Sequence, residues 1–150
     1  MRENSKNISL GDFVEGISLL TFELGRHPES TPLLTPDQEA LLTLLHQRGK
    51  LSLKEIKTFL HIDTFQMSRL LSSVENYIEN RRPASLVHRE VNFQDKRQWI
   101  ISLSRDGTRV LLEEWKRRKK RVETLLGPLT LREKKTFMDI INKMILSMRS

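Results

Sequence analysis

The sequence contains no cysteine, one tyrosine, six glycines and five prolines in 150 residues. Without cysteine there is no disulfide, no thiolate metal site and no thiol redox switch in this chain. No apolar run approaches the roughly 18 residues of a membrane span, so no membrane partner is expected. The N-terminal MRENSKNISLGDF has no apolar signal core, which points to a cytoplasmic location. A glycine-rich phosphate loop is missing, and the serines of SLSRDG lack the context of a nucleophile elbow. His27, His46, His61 and His88 are scattered, and none pairs with another histidine at metal-ligand spacing. These absences argue against an enzyme, and they call for neither a metal nor a cofactor.

Apolar material is ample, at 37% of residues, and the length suits one domain with its own core. The net charge of +7 is unevenly placed. Residues 1–80 hold 8 Lys/Arg against 11 Asp/Glu, residues 81–121 hold 13 against 5, and residues 122–150 hold 5 against 3. The positive excess therefore sits in one middle block, as a polyanion-binding face requires.

Helical spacing dominates. Leu10, Phe13, Val14, Ile17, Leu20 and Leu24 share one face, and GRHPESTP ends that helix. Thr35, Pro36 and Gln38 form a capping-box start to a leucine-rich helix that stops at Gly49. Ser52 with Glu55 opens a short helix through Leu60, and Asp63 with Gln66 opens another. This last helix places Met67, Leu70, Leu71, Val74 and Ile78 on one face. Two short helices joined by HID read as a helix-turn-helix. After NRRPAS the period changes: LVHREV and QWIISL have strand length and strand composition. The turn between them lacks the Asn-Gly or Asp-Gly of a tight hairpin. A long helix comes next with Val110, Leu111, Trp115, Val122 and Leu126, closed by Gly127 and Pro128. Thr130 with Glu133 caps a final helix bearing Phe137, Ile140, Ile141, Met144, Ile145 and Met148. The fold class is mainly α with minor β, a winged helix-turn-helix flanked by N- and C-terminal helices. The apolar stripes of those terminal helices invite pairing with a second copy.

Two gapless blocks carry a family resemblance. LHIDTFQMSRLLSSVE (60–75) has a capping residue, then apolar-Ser-Arg-Leu and a later apolar-Glu; DKRQWIISLSRDG (95–107) has Asp-x-Arg, an alternating strand, Leu-Ser and Gly. Together they resemble the recognition helix and wing of the MarR family of winged helix-turn-helix regulators. The resemblance implies a single domain over 1–150, with dimerisation helices at 8–34 and 108–150 around a winged DNA-binding region at 36–107. It implies a homodimer on a pseudo-palindromic operator, with half-sites about one helical turn apart. It also implies a repressor as the common mode, with release by a small-molecule effector of unknown identity bound between dimerisation and DNA-binding regions. Trp99, Trp115 and the first helix leave room for such a ligand, although core or dimer packing is the commoner use of a tryptophan. One departure stands out: ten residues, NYIENRRPAS, separate Glu75 from Leu86, where the family usually has only a few with a glycine. Tyr77 and Ile78 are expected to prolong the helix until Pro83 breaks it, placing Arg81 and Arg82 near the wing base.

The expected double-stranded DNA contacts are Thr64, Phe65, Gln66, Ser68, Arg69 and Ser72 on the recognition helix, Arg81 and Arg82 after it, and Lys96 and Arg97 on the wing. Gln66 suits an adenine edge, Arg69 guanine or phosphate, and Ser68 a phosphate. Arg97 is the candidate for a narrow minor groove and Lys96 for the backbone. A carboxylate beside phosphates is repelled, so Asp95 is expected to pair with a nearby arginine and brace the wing turn. The run KRRKKR (116–121) faces all sides of a helix and reads mainly as a solvated surface. The competing reading of the whole is a winged-helix protein-interaction module without DNA reading.

Overall fold

A computed structural model describes residues 7–25 and 32–148. Residues 1–6 of the N-terminal stretch, residues 26–31 of the expected break after the first helix, and residues 149–150 lie outside the described residues. The chain runs α1 (Leu10–Gly25), α2 (Pro36–Arg48), β1 (Leu51–Ser52), α3 (Leu53–Leu60), α4 (Thr64–Glu75), β2 (Tyr77–Glu79), β3 (Arg82–Ala84), β4 (Val87–Val91), β5 (Trp99–Leu103), α5 (Arg105–Leu126) and α6 (Leu131–Ser147).

The capping residues start the helices where their side chains replace missing backbone partners. Thr35 with Gln38, Asp63 with Gln66 and Thr130 with Glu133 form reciprocal capping boxes. Ser52 accepts the Glu55 N–H at 3.1 Å at the head of α3. His61 takes a left-handed conformation, φ 53°, which ends α3 and turns the chain into α4 within three residues.

Leu41, Leu42 and Leu45 of α2, Ile56 of α3, Met67, Leu71 and Val74 of α4, and Ile101 of β5 bury together with Leu86, Val110 and Leu111. The first turns of α5 thus belong to the winged core, so a helix crosses the division expected at residues 107/108. The wing sheet has the order β1-β5-β4, with Val87 opposite Leu103 and Val91 opposite Trp99. The two-residue strand β1, whose sequence gives no strand signal, pairs Leu51 with Ile101.

The chain after α4 departs from expectation. Tyr77 and Ile78 do not prolong the helix, which ends at Glu75 with Asn76 as its cap. They form β2, antiparallel to β3, with Glu79 opposite Arg82. Asn80 and Arg81 both have positive φ, 50° and 64°, as a two-residue type I′ hairpin turn requires. The physical reason is tertiary. The Tyr77 hydroxyl donates to the Leu33 carbonyl at 2.9 Å, a partner 44 residues away that no helical periodicity reveals. Ile78, expected on the buried face, is 69% exposed.

α1 and α6 contain no buried residue. Ion pairs from Arg121 of α5 to Glu23, and from Arg118 to Glu39, tie α5 to α1 and α2. The basic run is therefore not wholly a solvated surface, because two of its cations are spent holding helices together.

Candidate nucleic-acid interface

Helix α4 presents two contrasting faces. Met67, Leu71 and Val74 face the core, whereas Thr64, Phe65, Gln66, Ser68, Arg69 and Ser72 are all exposed. The Arg69 guanidinium stands over the Phe65 ring, 5.7 Å from its centroid, which pre-positions the cation above the helix surface. Lys57 of α3 donates to the Thr64 hydroxyl at 3.1 Å. The Gln66 amide oxygen accepts the Asp63 N–H at 3.0 Å. That bond uses one of the two lone pairs of the amide oxygen and orients the side chain, leaving the second lone pair and the N–H₂ outward.

The wing tip is a hydrogen-bonded turn. Asn92 N–H bonds the Gln98 carbonyl at 2.9 Å, and Gln98 N–H bonds the Asp95 carbonyl at 3.0 Å. The Asn92 side chain accepts Gln94 N–H at 3.0 Å, and Asp95 Oδ1 accepts Arg97 N–H at 3.1 Å. The Asp95 carboxylate thus bonds the Arg97 backbone, where pairing with an arginine side chain was expected. Such side chain-to-backbone turns replace the missing Asn-Gly signal. Lys96 and Arg97 are exposed.

Two contacts tie the wing to α4, and two more order the wing around them. Arg89 of β4 pairs with Glu75 at the end of α4 and stacks 5.2 Å over the Trp99 ring. Leu86 N–H bonds the Val74 carbonyl at 2.9 Å, and Ser104 N–H bonds the Leu86 carbonyl at 3.0 Å. Gly107 then passes so close to that carbonyl that a Cβ would lie 1.9 Å from it. Sequence reasoning missed Arg89, Leu86 and Gly107 in this role. The glycine in SLSRDG was the available signal.

The hairpin β2–β3 is anchored to α5. Arg109 bonds both Glu79 carboxylate oxygens, at 2.9 and 2.5 Å, and also reaches Asp106 and Glu113. This guanidinium holds the Glu79 carboxyl below its ordinary range, and the Arg109 pKa rises in return. Burial pushes the Tyr77 phenol upward, with Glu79 and Glu114 adding to the shift, so its hydroxyl stays a donor. Arg82 lines a shallow depression with Glu79, Asn80, Ala84 and Arg109, and Arg81 occupies the exposed turn. The two arginines are thus carried on a hairpin fixed to α5, not at the end of an extended helix.

Trp99 and Trp115 are not brought together. Trp99 stands on the wing under Arg89, while Trp115 meets His46 edge-on at 5.2 Å between ring centroids. A separate cleft of about 640 Å³ lies among α1, α2, α3, α5 and α6, with Leu24, Leu44, Phe59, Leu60, Arg118 and Ile145 in its lining. Among the described residues no group of three or more His, Asp or Glu side chains could hold a metal ion.

No protein-family model and no curated protein matches this sequence. Solved structures do match its fold. A MepR mutant from a multidrug-resistant S. aureus clinical isolate aligns at 22% identity over 94% of this chain and 98% of its own, with a TM-score of 0.68. Wild-type MarR from E. coli aligns at 20% identity over 91% and 96%, with a TM-score of 0.67. The PcaV transcriptional regulator from Streptomyces coelicolor, in complex with its natural ligand, aligns at 21% over 96% of both chains, with a TM-score of 0.66. Near-complete coverage in both directions at low identity establishes the architecture: this chain has the MarR-like winged-helix fold.

Proposed function

We propose that this protein is a sequence-specific double-stranded DNA-binding transcriptional regulator, working as a homodimer on a pseudo-palindromic operator. The observation that carries the reading is the pairing of an acid-free exposed recognition-helix face with a braced wing that projects Arg97. On this reading α4 enters the major groove, where Arg69 serves guanine or phosphate and Thr64, Ser68 and Ser72 position the backbone. Phe65 offers an apolar surface to a thymine methyl. Arg97 enters the adjacent minor groove and Lys96 a phosphate. Arg81 and Arg82 supply further backbone contacts from the hairpin.

The dimer reading is supported by the terminal helices. Phe13, Val14, Ile17 and Phe22 of α1, and Ile140, Met144 and Leu146 of α6, are each about half exposed or more. Such apolar faces exceed what a solitary domain ordinarily leaves in water. Repression is the mode that the family resemblance favours, with the cleft beside Arg118 as the place for a small-molecule effector. No described helix is long and apolar enough to cross a membrane, and we place the protein in the cytoplasm with its DNA.

Selection of duplexes from a random pool by the purified protein tests the reading. A symmetric motif with half-sites about one helical turn apart is the expected result. Recovery of no preferred sequence, together with binding indifferent to salt, would instead favour a protein-interaction module.

A further inference from the structure

We infer that Phe93 is an apolar wedge that enters the minor groove beside Arg97 and opens a flexible base step. The inference rests on the DNA-binding reading and assigns a residue and an action that this reading does not contain. Phe93 is 90% exposed, the most exposed large apolar side chain among the described residues. It belongs to neither terminal helix but to the wing tip, between Asn92 and Gln94.

The turn that carries it is held from both sides. Asn92 and Asp95 each cap a backbone N–H two residues on, and Asn92 and Gln98 close the tip with main-chain bonds. The ring is thus presented on a pre-ordered backbone, which lowers the entropy lost when it binds. Lys96 and Arg97 lie within four residues of it, both exposed, and Asp95 already has one carboxylate oxygen engaged by backbone. An apolar side chain close to two exposed cations suits the floor of a groove, where phosphates meet the cations and sugars and base steps meet the ring. Minor-groove proteins insert phenylalanine in this way, unstacking a step and bending the duplex. Phe65 differs, because it lies on α4 rather than on the wing and has the Arg69 guanidinium over one face of its ring.

A wedge neutralises no phosphate, which separates it from Arg97 in experiment. With a duplex recovered from a random pool, Phe93→Ala is expected to lose about tenfold in affinity, or about 1.4 kcal/mol. Its bend, read by gel mobility of circularly permuted probes, should shrink while the salt dependence of binding stays that of the parent. Phe93→Leu should keep most of the affinity and the bend. Arg97→Ala should lower the salt slope by about one. Recovered duplexes should carry a TA or CA/TG step where the wing reaches, since those steps deform most easily.

Equal affinity and bend for Phe93→Ala would overturn the wedge while leaving the regulator reading intact. A smaller salt slope with an unchanged bend would also overturn it, as would lost self-association with unchanged DNA binding or a lowered Tm for Phe93→Ala. Failure of the parent protein to bind any duplex removes the DNA reading itself.

Discussion

Gly107 shows how one residue governs the placement of the site. Its missing side chain lets the first turn of α5 cross the Leu86 carbonyl, and Leu86 is itself bonded to Val74 near the end of α4. Gly107→Ala forces a backbone shift and is expected to cost about 2 kcal/mol or more in urea unfolding. Unchanged stability would mean that the crossing relaxes freely. Gln66 carries two duties, since its amide both closes a capping box and faces outward. Gln66→Glu keeps a capping side chain but loses the amide donor. It should leave Tm near that of the parent and weaken duplex binding, whereas a fall in Tm alone would confine Gln66 to capping.

Among the elements, the β2–β3 hairpin is held by charge where α4 is held by packing. The Arg109–Glu79 pair lowers the Glu79 pKa, so its stabilisation is fully present above the ordinary carboxylate value of 4.5 and fades as pH falls through the lowered value. Both side chains remain partly open to solvent, which screens the pair and keeps its contribution small. Hydrogen exchange of the hairpin amides should quicken, relative to those of α4, as the pH is lowered below that range. Glu79→Gln should abolish that change, and an unaltered pH response in this variant would assign it elsewhere. At the other end of the hairpin, Tyr77 and the buried Glu114 grip the same residue, bonding the Leu33 carbonyl and the Leu33 N–H at 2.9 and 2.8 Å. The start of α2, the end of α4 and the middle of α5 are thereby fastened at a single residue.

For the whole molecule, the uncovered helices matter most. Ile140 is 48% exposed and lies outside the core, so Ile140→Glu should leave the winged unit folded while weakening self-association. Analytical ultracentrifugation is expected to show a dimer for the parent and a shift toward monomer for the variant. A parent that sediments as a monomer at micromolar concentration would sink the dimer. If the proposed dimer neutralises several phosphates, duplex affinity should fall steeply as salt rises from roughly 50 to 200 mM.

Local chemistry by itself determined the starts of α2, α3, α4 and α6, the helix-turn-helix, the wing strands and the exposed face of α4. Caps act within three residues, and apolar periodicity is written along the chain. The concentration of positive charge between residues 81 and 121 was equally plain. Tertiary structure decided the path of the chain after Glu75, because Ile78 keeps the helical spacing while bonds to the distant Leu33 carbonyl and Arg109 hold the chain as a hairpin. It also decided which cations remain outward: Arg109, Arg118 and Arg121 are drawn into ion pairs, while Arg97 and its neighbour Phe93 are left standing at the wing tip. Charge counts are additive along a sequence. Pairing depends on which helices meet in space.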